Sequence, residues 1–153
     1  MKNVVLIGAS GFVGTAILNE LLNRNHKVTA IVRDAKKMNA SNPNLTIVEA
    51  DVTDTDALKE ASKGKDTVIS AYNPGWKNPH IYEDTLKNYP LIVESAKQAG
   101  VKRLLIVGGA GTLFYAPGKM VMDADDVPAQ LLPGIKSLGE FYLNTLRKEK
   151  DID

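Results

Sequence analysis

Hydrophobic and polar positions switch between two periods along this chain. Val4-Val5-Leu6-Ile7 is a run of branched apolar residues that stops at Gly8, so Asn3–Ile7 reads as a buried strand. The period then becomes helical. Val13, Ile17 and Leu21 share one face, widened by Leu18 and Leu22, which predicts a helix from about Phe12 to Arg24. Asn25 suits a left-handed cap. Lys27–Val32 returns to period two, with Val28, Ala30 and Val32 set against Thr29 and Ile31. The polar stretch from Arg33 to Asn44 holds at most one helical turn. Leu45–Glu49 predicts a third strand, and Thr67–Ala71 a fourth. Between them Asp54–Lys63 predicts a helix, capped by Thr53 or Asp54 and stopped by Gly64. Tyr72–Pro79 is a loop rich in Pro, Gly and Asn. A long helix from about His80 to Ala99 follows, ended by Gly100, with a kink or interruption expected near Asn88 because of Pro90. Arg103–Val107 reads as a fifth strand, then an irregular stretch to Pro133, then a last helix from Gly134 to about Lys150.

Strands alternating with helices of crossover length predict an α/β fold. The sheet is parallel with helices on both faces, a three-layer, doubly wound (Rossmann) arrangement of strand order 3-2-1-4-5. A chain of 153 residues is expected to form one domain with a real core. Charge is nearly balanced, 19 basic residues against 18 acidic, so nothing points to nucleic acid or an acidic membrane as a partner. Without cysteine, disulfides, thiol catalysis and thiolate metal sites are excluded. His26 and His80 are far apart and read as surface or capping residues, so no metal is expected. Met1-Lys2-Asn3 leads directly into a strand, with no signal peptide, and no apolar run approaches the roughly 18 residues of a membrane span. A cytoplasmic protein is the expectation.

The candidate chemistry begins at the first strand's end. In Gly8-Ala9-Ser10-Gly11-Phe12-Val13-Gly14, Gly8 allows a sharp turn and Gly11 lacks a side chain where backbone would approach a pyrophosphate. Gly14 removes a Cβ one turn into the helix. Free N–H groups and the helix dipole there favour an anion. The spacing is G-x-x-G-x-x-G, with Ala9 in place of the dehydrogenase fingerprint's second glycine. Asp34 stands 20 residues beyond Gly14, where an acidic residue often holds the adenine ribose of NAD, and Arg33 directly precedes it. An Arg fork matches a phosphate, and the alternative for both residues is a solvated loop charge.

The turn Gly8–Gly14 resembles the cofactor turn of the atypical and extended short-chain dehydrogenases/reductases. Within these, the chain is similar to NAD(P)-binding, NAD-dependent epimerase/dehydratase-like proteins and to the flavin/biliverdin-reductase and NmrA-like branches. The resemblance covers essentially the whole chain and implies an NAD(P)-binding Rossmann domain over residues 1–153, with Ser10, Phe12 and Val13 joining the glycines at the cofactor. It aligns Arg33 with the basic residue that meets a 2′-phosphate, so NADP(H) is favoured over NAD(H). It also implies that Asp51 and Val52 contact adenine, the competing role for Asp51 being a plain turn residue. Ala71, Tyr72 and Asn73 would line the cofactor's ribose. Tyr72 and Trp76 would wall the nicotinamide pocket, unless they simply pack on the core.

Short-chain reductases pair a Tyr with a Lys four residues later, plus a Ser or Thr after strand five. The family alignment puts Lys136 at the Lys, but Leu132 stands where the Tyr would be. Gly108 and Gly109 occupy places of family serines, leaving Thr112 as the nearest hydroxyl. Tyr115 and Lys119 match the Tyr/Lys spacing literally, but Pro117 and Gly118 break any helix there, so Tyr115 is a substitute from a loop at best. The resemblance implies an NADPH-dependent oxidoreductase or epimerase-like enzyme acting on an unknown small molecule. The alternative is a non-enzymatic NAD(P)-binding redox sensor of the NmrA-like type. In relatives a sixth strand and a substrate-binding region follow the position of Asp153, so this chain reads as truncated or as an isolated domain. Strand five would then be an open sheet edge, and a homodimer is one way to cover it.

Overall fold

Short runs of branched apolar residues, buried on both faces in the first two strands, build the sheet. The computed structural model describes residues 1–153. Strands β1 (Asn3–Ile7), β2 (Lys27–Val32), β3 (Leu45–Glu49), β4 (Thr67–Ser70) and β5 (Arg103–Ile106) form one sheet of order β3-β2-β1-β4-β5. All four pairings are parallel. The expected Rossmann order is therefore observed. Leu6, Val28, Ala30 and Val32 turn to one face and pack with Leu18 of α1 (Phe12–Asn23). Val5, Ile7, Ile31 and Val68 turn to the other, against Leu58 of α2 (Thr55–Ser62) and Ile92 and Ala96 of α3 (Ile81–Gln98). Two buried faces explain why these strands read as near-continuous hydrophobic runs.

The chain divides into two compact units. The sheet, α1, α2 and the C-terminal half of α3 belong to the first, which comprises Met1–Tyr72, Leu91–Val107 and Lys150–Asp153. The second comprises Asn73–Pro90 and Gly108–Glu149. It holds the start of α3, a two-stranded hairpin of β6 (Phe114–Ala116) and β7 (Lys119–Met120), and α4 (Leu132–Asn144). Its centre is the pair Tyr89 and Phe141, ring centroids 5.0 Å apart and both buried. Small residues let α4 pack closely: a Cβ on Gly134 would meet Ile81 and Trp76 at 2.8 Å, and one on Gly139 would meet Met122 Sδ at 2.6 Å.

Several sequence expectations are corrected. Pro90 lies within one helix, α3, so the interruption expected near Asn88 does not occur, and the residues around it, Tyr89 and Ile92, are buried. The last helix starts at Leu132 because proline is tolerated in a first turn, and it gives way at Thr145 to a 3₁₀ turn over Leu146–Lys148. The irregular stretch contains the hairpin, turned by Pro117 and by Gly118 at φ +71°. The edge at β5 is partly covered. Asp153 donates its N–H to Lys102 at 3.1 Å and accepts from Leu104 N–H at 2.7 Å, as a parallel neighbour would, and Ile152 packs on the core. Further along β5, Leu105 remains 41% exposed. Asn25 adopts the expected left-handed conformation, φ 57°. No helix is long and apolar enough to cross a membrane.

Candidate functional site

At the glycine turn, two glycines are held tightly by neighbouring backbone. Gly8 sits at φ +79°, and a Cβ there would lie 2.9 Å from the Ala71 carbonyl oxygen. Its N–H continues the ladder to Ile31 O at 2.9 Å, and its own carbonyl accepts from Gly11 N–H at 3.1 Å. A Cβ on Gly14 would overlap the Gly8 carbonyl oxygen outright and lie 3.0 Å from Ala9 Cα. Gly8 and Gly14 are thus required by the fold itself.

Gly11 is different. Its backbone, φ −79° and ψ 171°, suits any residue, and the nearest atom to a Cβ is Gly8 O at 3.4 Å. Gly11 is also the N-cap of α1, where Ser, Thr, Asp or Asn would satisfy a helix donor. No side chain caps this helix. Thr15 N–H bonds to Gly11 O at 2.8 Å, whereas the N–H groups of Phe12, Val13 and Gly14 find no acceptor in the protein. Exposed Ser10, Gly11, Phe12 and Val13 surround those donors, with Phe12 98% exposed. Three uncapped donors at a helix N-terminus beside a bare Cα fit a pyrophosphate by their chemistry.

Next to this turn lie the ends of β2 and β3. Arg33 is exposed, while Asp34 is half-buried and accepts from Lys36 N–H at 3.0 Å, capping a 3₁₀ turn over Ala35–Lys37. Asp51 Oδ1 accepts from Thr53 N–H at 2.9 Å and Thr53 Oγ1 at 2.7 Å. Those two donors, backbone first, and the charge of Arg33 hold the Asp51 carboxyl below its ordinary range. Its Oδ2 accepts nothing from the protein and can take a donor such as an exocyclic amine. Val52 has its side chain in the core, so only its backbone is available to a ligand.

Ala71 closes the floor under Gly8, its N–H bonded to Ile7 O at 2.9 Å. Tyr72 is half-buried against the core and donates its N–H to Ser70 Oγ at 3.3 Å. Asn73, the first residue of the second unit, accepts from Gly75 N–H at 2.7 Å.

Within the second unit, the structure places Thr112 against α4. The turn Ala110–Thr112 packs there through Gly111, whose Cβ would meet Ile135 Cγ2 at 2.8 Å, and the Thr112 methyl faces Gly139. Lys136 is exposed on the same helix between these contacts. Tyr115 is on the hairpin, 56% exposed, in a strand rather than on a helix with a lysine one turn later. Two features went unforeseen. Tyr82 donates to Glu140 at 2.6 Å, and this bond raises the Tyr82 pKa. Glu49 accepts from Ala35 N–H at 2.8 Å. Only the adjacency of parallel strand ends could have signalled the second.

A family model described as NAD(P)H-binding matches residues 8–137, from the first glycine of the turn to the helix that carries Lys136. This chain belongs to the NAD(P)H-binding family. The short-chain dehydrogenase/reductase resemblance of the glycine turn holds with it. YwnB of Bacillus subtilis, an uncharacterised protein, is 37% identical over 137 residues, which span 88% of this chain and 61% of YwnB. A candidate epimerase from Bacteroides thetaiotaomicron is 55% identical with a TM-score of 0.92, over 99% of this chain and 68% of that one. A candidate NADH-flavin reductase from Streptococcus pneumoniae is 30% identical with a TM-score of 0.82, over 100% and 69%. This NAD(P)H-binding chain is thus shorter than its relatives, spanning less than two thirds of YwnB.

Proposed function

We propose that this chain is the cofactor-binding part of an NADPH-dependent reductase acting on a small molecule. Gly11 carries the reading. It is a glycine that neither backbone conformation nor packing requires, set where three helix N–H groups lack acceptors. Phe12, Val13 and Gly14 would hold the pyrophosphate through those donors, Asp51 and Val52 the adenine, and Arg33 the 2′-phosphate. Asp34, the residue that would favour NAD, spends one carboxylate oxygen on Lys36 N–H of its own turn. When bound, the nicotinamide supplies hydride.

The proton side narrows the substrate class. Leu132 stands one helical turn before Lys136, at the start of α4, so no phenol is paired with that lysine on its helix. Gly108 and Gly109 bring no hydroxyl, and Thr112 has its methyl on Gly139. A reductase built this way suits a conjugated acceptor, flavin-like or quinoid, whose reduced form takes its proton from solvent. An epimerase-like reaction needs an acid–base pair that Leu132 does not provide. The same Leu132 favours a second reading, a redox sensor that binds the dinucleotide without turnover.

Calorimetric titration with NADPH and NADH tests binding, and NADPH oxidation with a quinoid dye as acceptor tests chemistry. Micromolar binding with turnover supports the reductase. Binding without turnover supports the sensor. A folded chain that binds neither nucleotide refutes both.

A further inference from the structure

Two carboxylates hold the turn after β2, and one comes from a different strand. Asp34 accepts from Lys36 N–H at 3.0 Å, and Glu49, the last residue of β3, accepts from Ala35 N–H through Oε2 at 2.8 Å. Strand register explains the second bond. Val32 and Glu49 are partners in the parallel pairing, and Val32 O accepts from Ala50 N–H at 2.9 Å. β2 and β3 therefore leave the sheet side by side, and Glu49 reaches the first turn beyond its partner strand.

That turn carries Arg33, Lys36 and Lys37, all exposed and none in an ion pair. Asp34 and Glu49 could have neutralised them or held a ribose diol. Each gives one oxygen to a backbone N–H of the turn, Asp34 Oδ1 to Lys36 and Glu49 Oε2 to Ala35. Three cations in no direct ion pair, on a backbone fixed at two points, suit a dianionic group.

We propose that Glu49 is a positioning residue for cofactor choice. It fixes the turn at residues 33–37 so that these cations meet the 2′-phosphate of NADPH. The inference rests on the reading of the glycine turn as an NADP(H) site. A rival effect has the opposite sign: a carboxylate beside a phosphate repels it, so by charge alone Glu49 would disfavour NADPH. Glu49→Ala removes both the acceptor and the charge. Glu49→Gln removes the charge but keeps a carbonyl oxygen for Ala35 N–H.

Calorimetric titration of the parent chain and both variants with NADPH and NADH decides the matter, with urea midpoints recorded for each. Glu49→Ala is expected to weaken NADPH by about three- to tenfold, the usual worth of one such hydrogen bond, with NADH nearly unchanged. Glu49→Gln is expected to keep or widen the parental preference. A purely structural role would weaken both nucleotides alike. An unchanged or widened NADPH preference in Glu49→Ala overturns the inference while leaving the cofactor site intact. A parent chain with equal affinities overturns the NADPH reading and this inference with it. A folded parent that binds neither nucleotide refutes the site itself.

Discussion

Gly14 and Gly11 are chemically identical, lie three positions apart, and should respond to alanine in opposite ways. In Gly14→Ala the new Cβ overlaps the Gly8 carbonyl oxygen and lies 2.9 Å from its carbon and 3.0 Å from Ala9 Cα. Those are backbone atoms of a turn pinned by bonds to Ile31 O and from Gly11 N–H, at 2.9 and 3.1 Å, so relief requires α1 to move away from β1. Alanine gains about 1 kcal/mol in helix propensity. Overpacking costs about 1–3 kcal/mol, and a backbone obstacle puts this case at the upper end. The net loss is about 2 kcal/mol, or roughly 4–8 °C in Tm for a chain of this size. Gly11→Ala meets only Gly8 O at 3.4 Å from an unstrained backbone, so its stability should stay within about 0.5 kcal/mol of the parent. Its methyl would nevertheless stand where the pyrophosphate approaches, and NADPH affinity should fall at least about tenfold. Thermal melts by circular dichroism and NADPH titration of both variants provide the test. Parental stability in Gly14→Ala, or parental affinity in a folded Gly11→Ala, would refute the separation of roles.

Three other substitutions probe the rest of the molecule. Arg33→Ala should narrow the gap between NADPH and NADH affinity, measured by titration; a parent that binds both equally sinks the argument for Arg33. The Asp51 pKa lies below its ordinary 3.8 when folded, so its contribution is present above pH 3.8 and lost as pH falls through the lower folded value. Asp51→Asn should flatten that acid limb in urea midpoints taken between pH 5 and pH 2, and an unaltered limb would place the protonation elsewhere. Tyr82 is shifted the other way, above 10.0, chiefly by its bond to Glu140, so that contribution holds below pH 10.0 and fades as pH rises through the folded value. Tyr82→Phe should lower stability at neutral pH and remove this alkaline loss, read by thermal melts across pH 8 to 11.

Where a residue's role depends on its near neighbours in the chain, the sequence was informative. The strand at Asn3–Ile7 and the helix face of Val13, Ile17 and Leu21 follow from periodicity, and periodicity is a local signal. The three glycines were legible as a group for the same reason. Their division was not, because Gly8 is confined partly by Ala71, more than 60 residues away in the chain, while Gly11 is confined by almost nothing. At Asp34 spacing and local geometry each suggest a role. Its distance from Gly14 suits a ribose-holding acid, and one of its oxygens also caps the turn two residues ahead, a bond that spacing alone did not reveal. The Tyr115–Lys119 match likewise lies on a hairpin, where spacing by four does not align side chains as on a helix.

The sequence by itself determined the strand–helix alternation, the sheet order that a doubly wound chain must take, and the glycine turn at its start. These follow from periods of two and 3.6, from crossover handedness and from glycine chemistry. Only the tertiary structure decided which charges remain available at that site. The parallel register of β2 on β3 carries Glu49 to Ala35, 14 residues away in the chain. Whether a carboxylate binds backbone or is left for a ligand depends on what lies within about 3 Å of it, and folding sets that distance independently of separation along the chain.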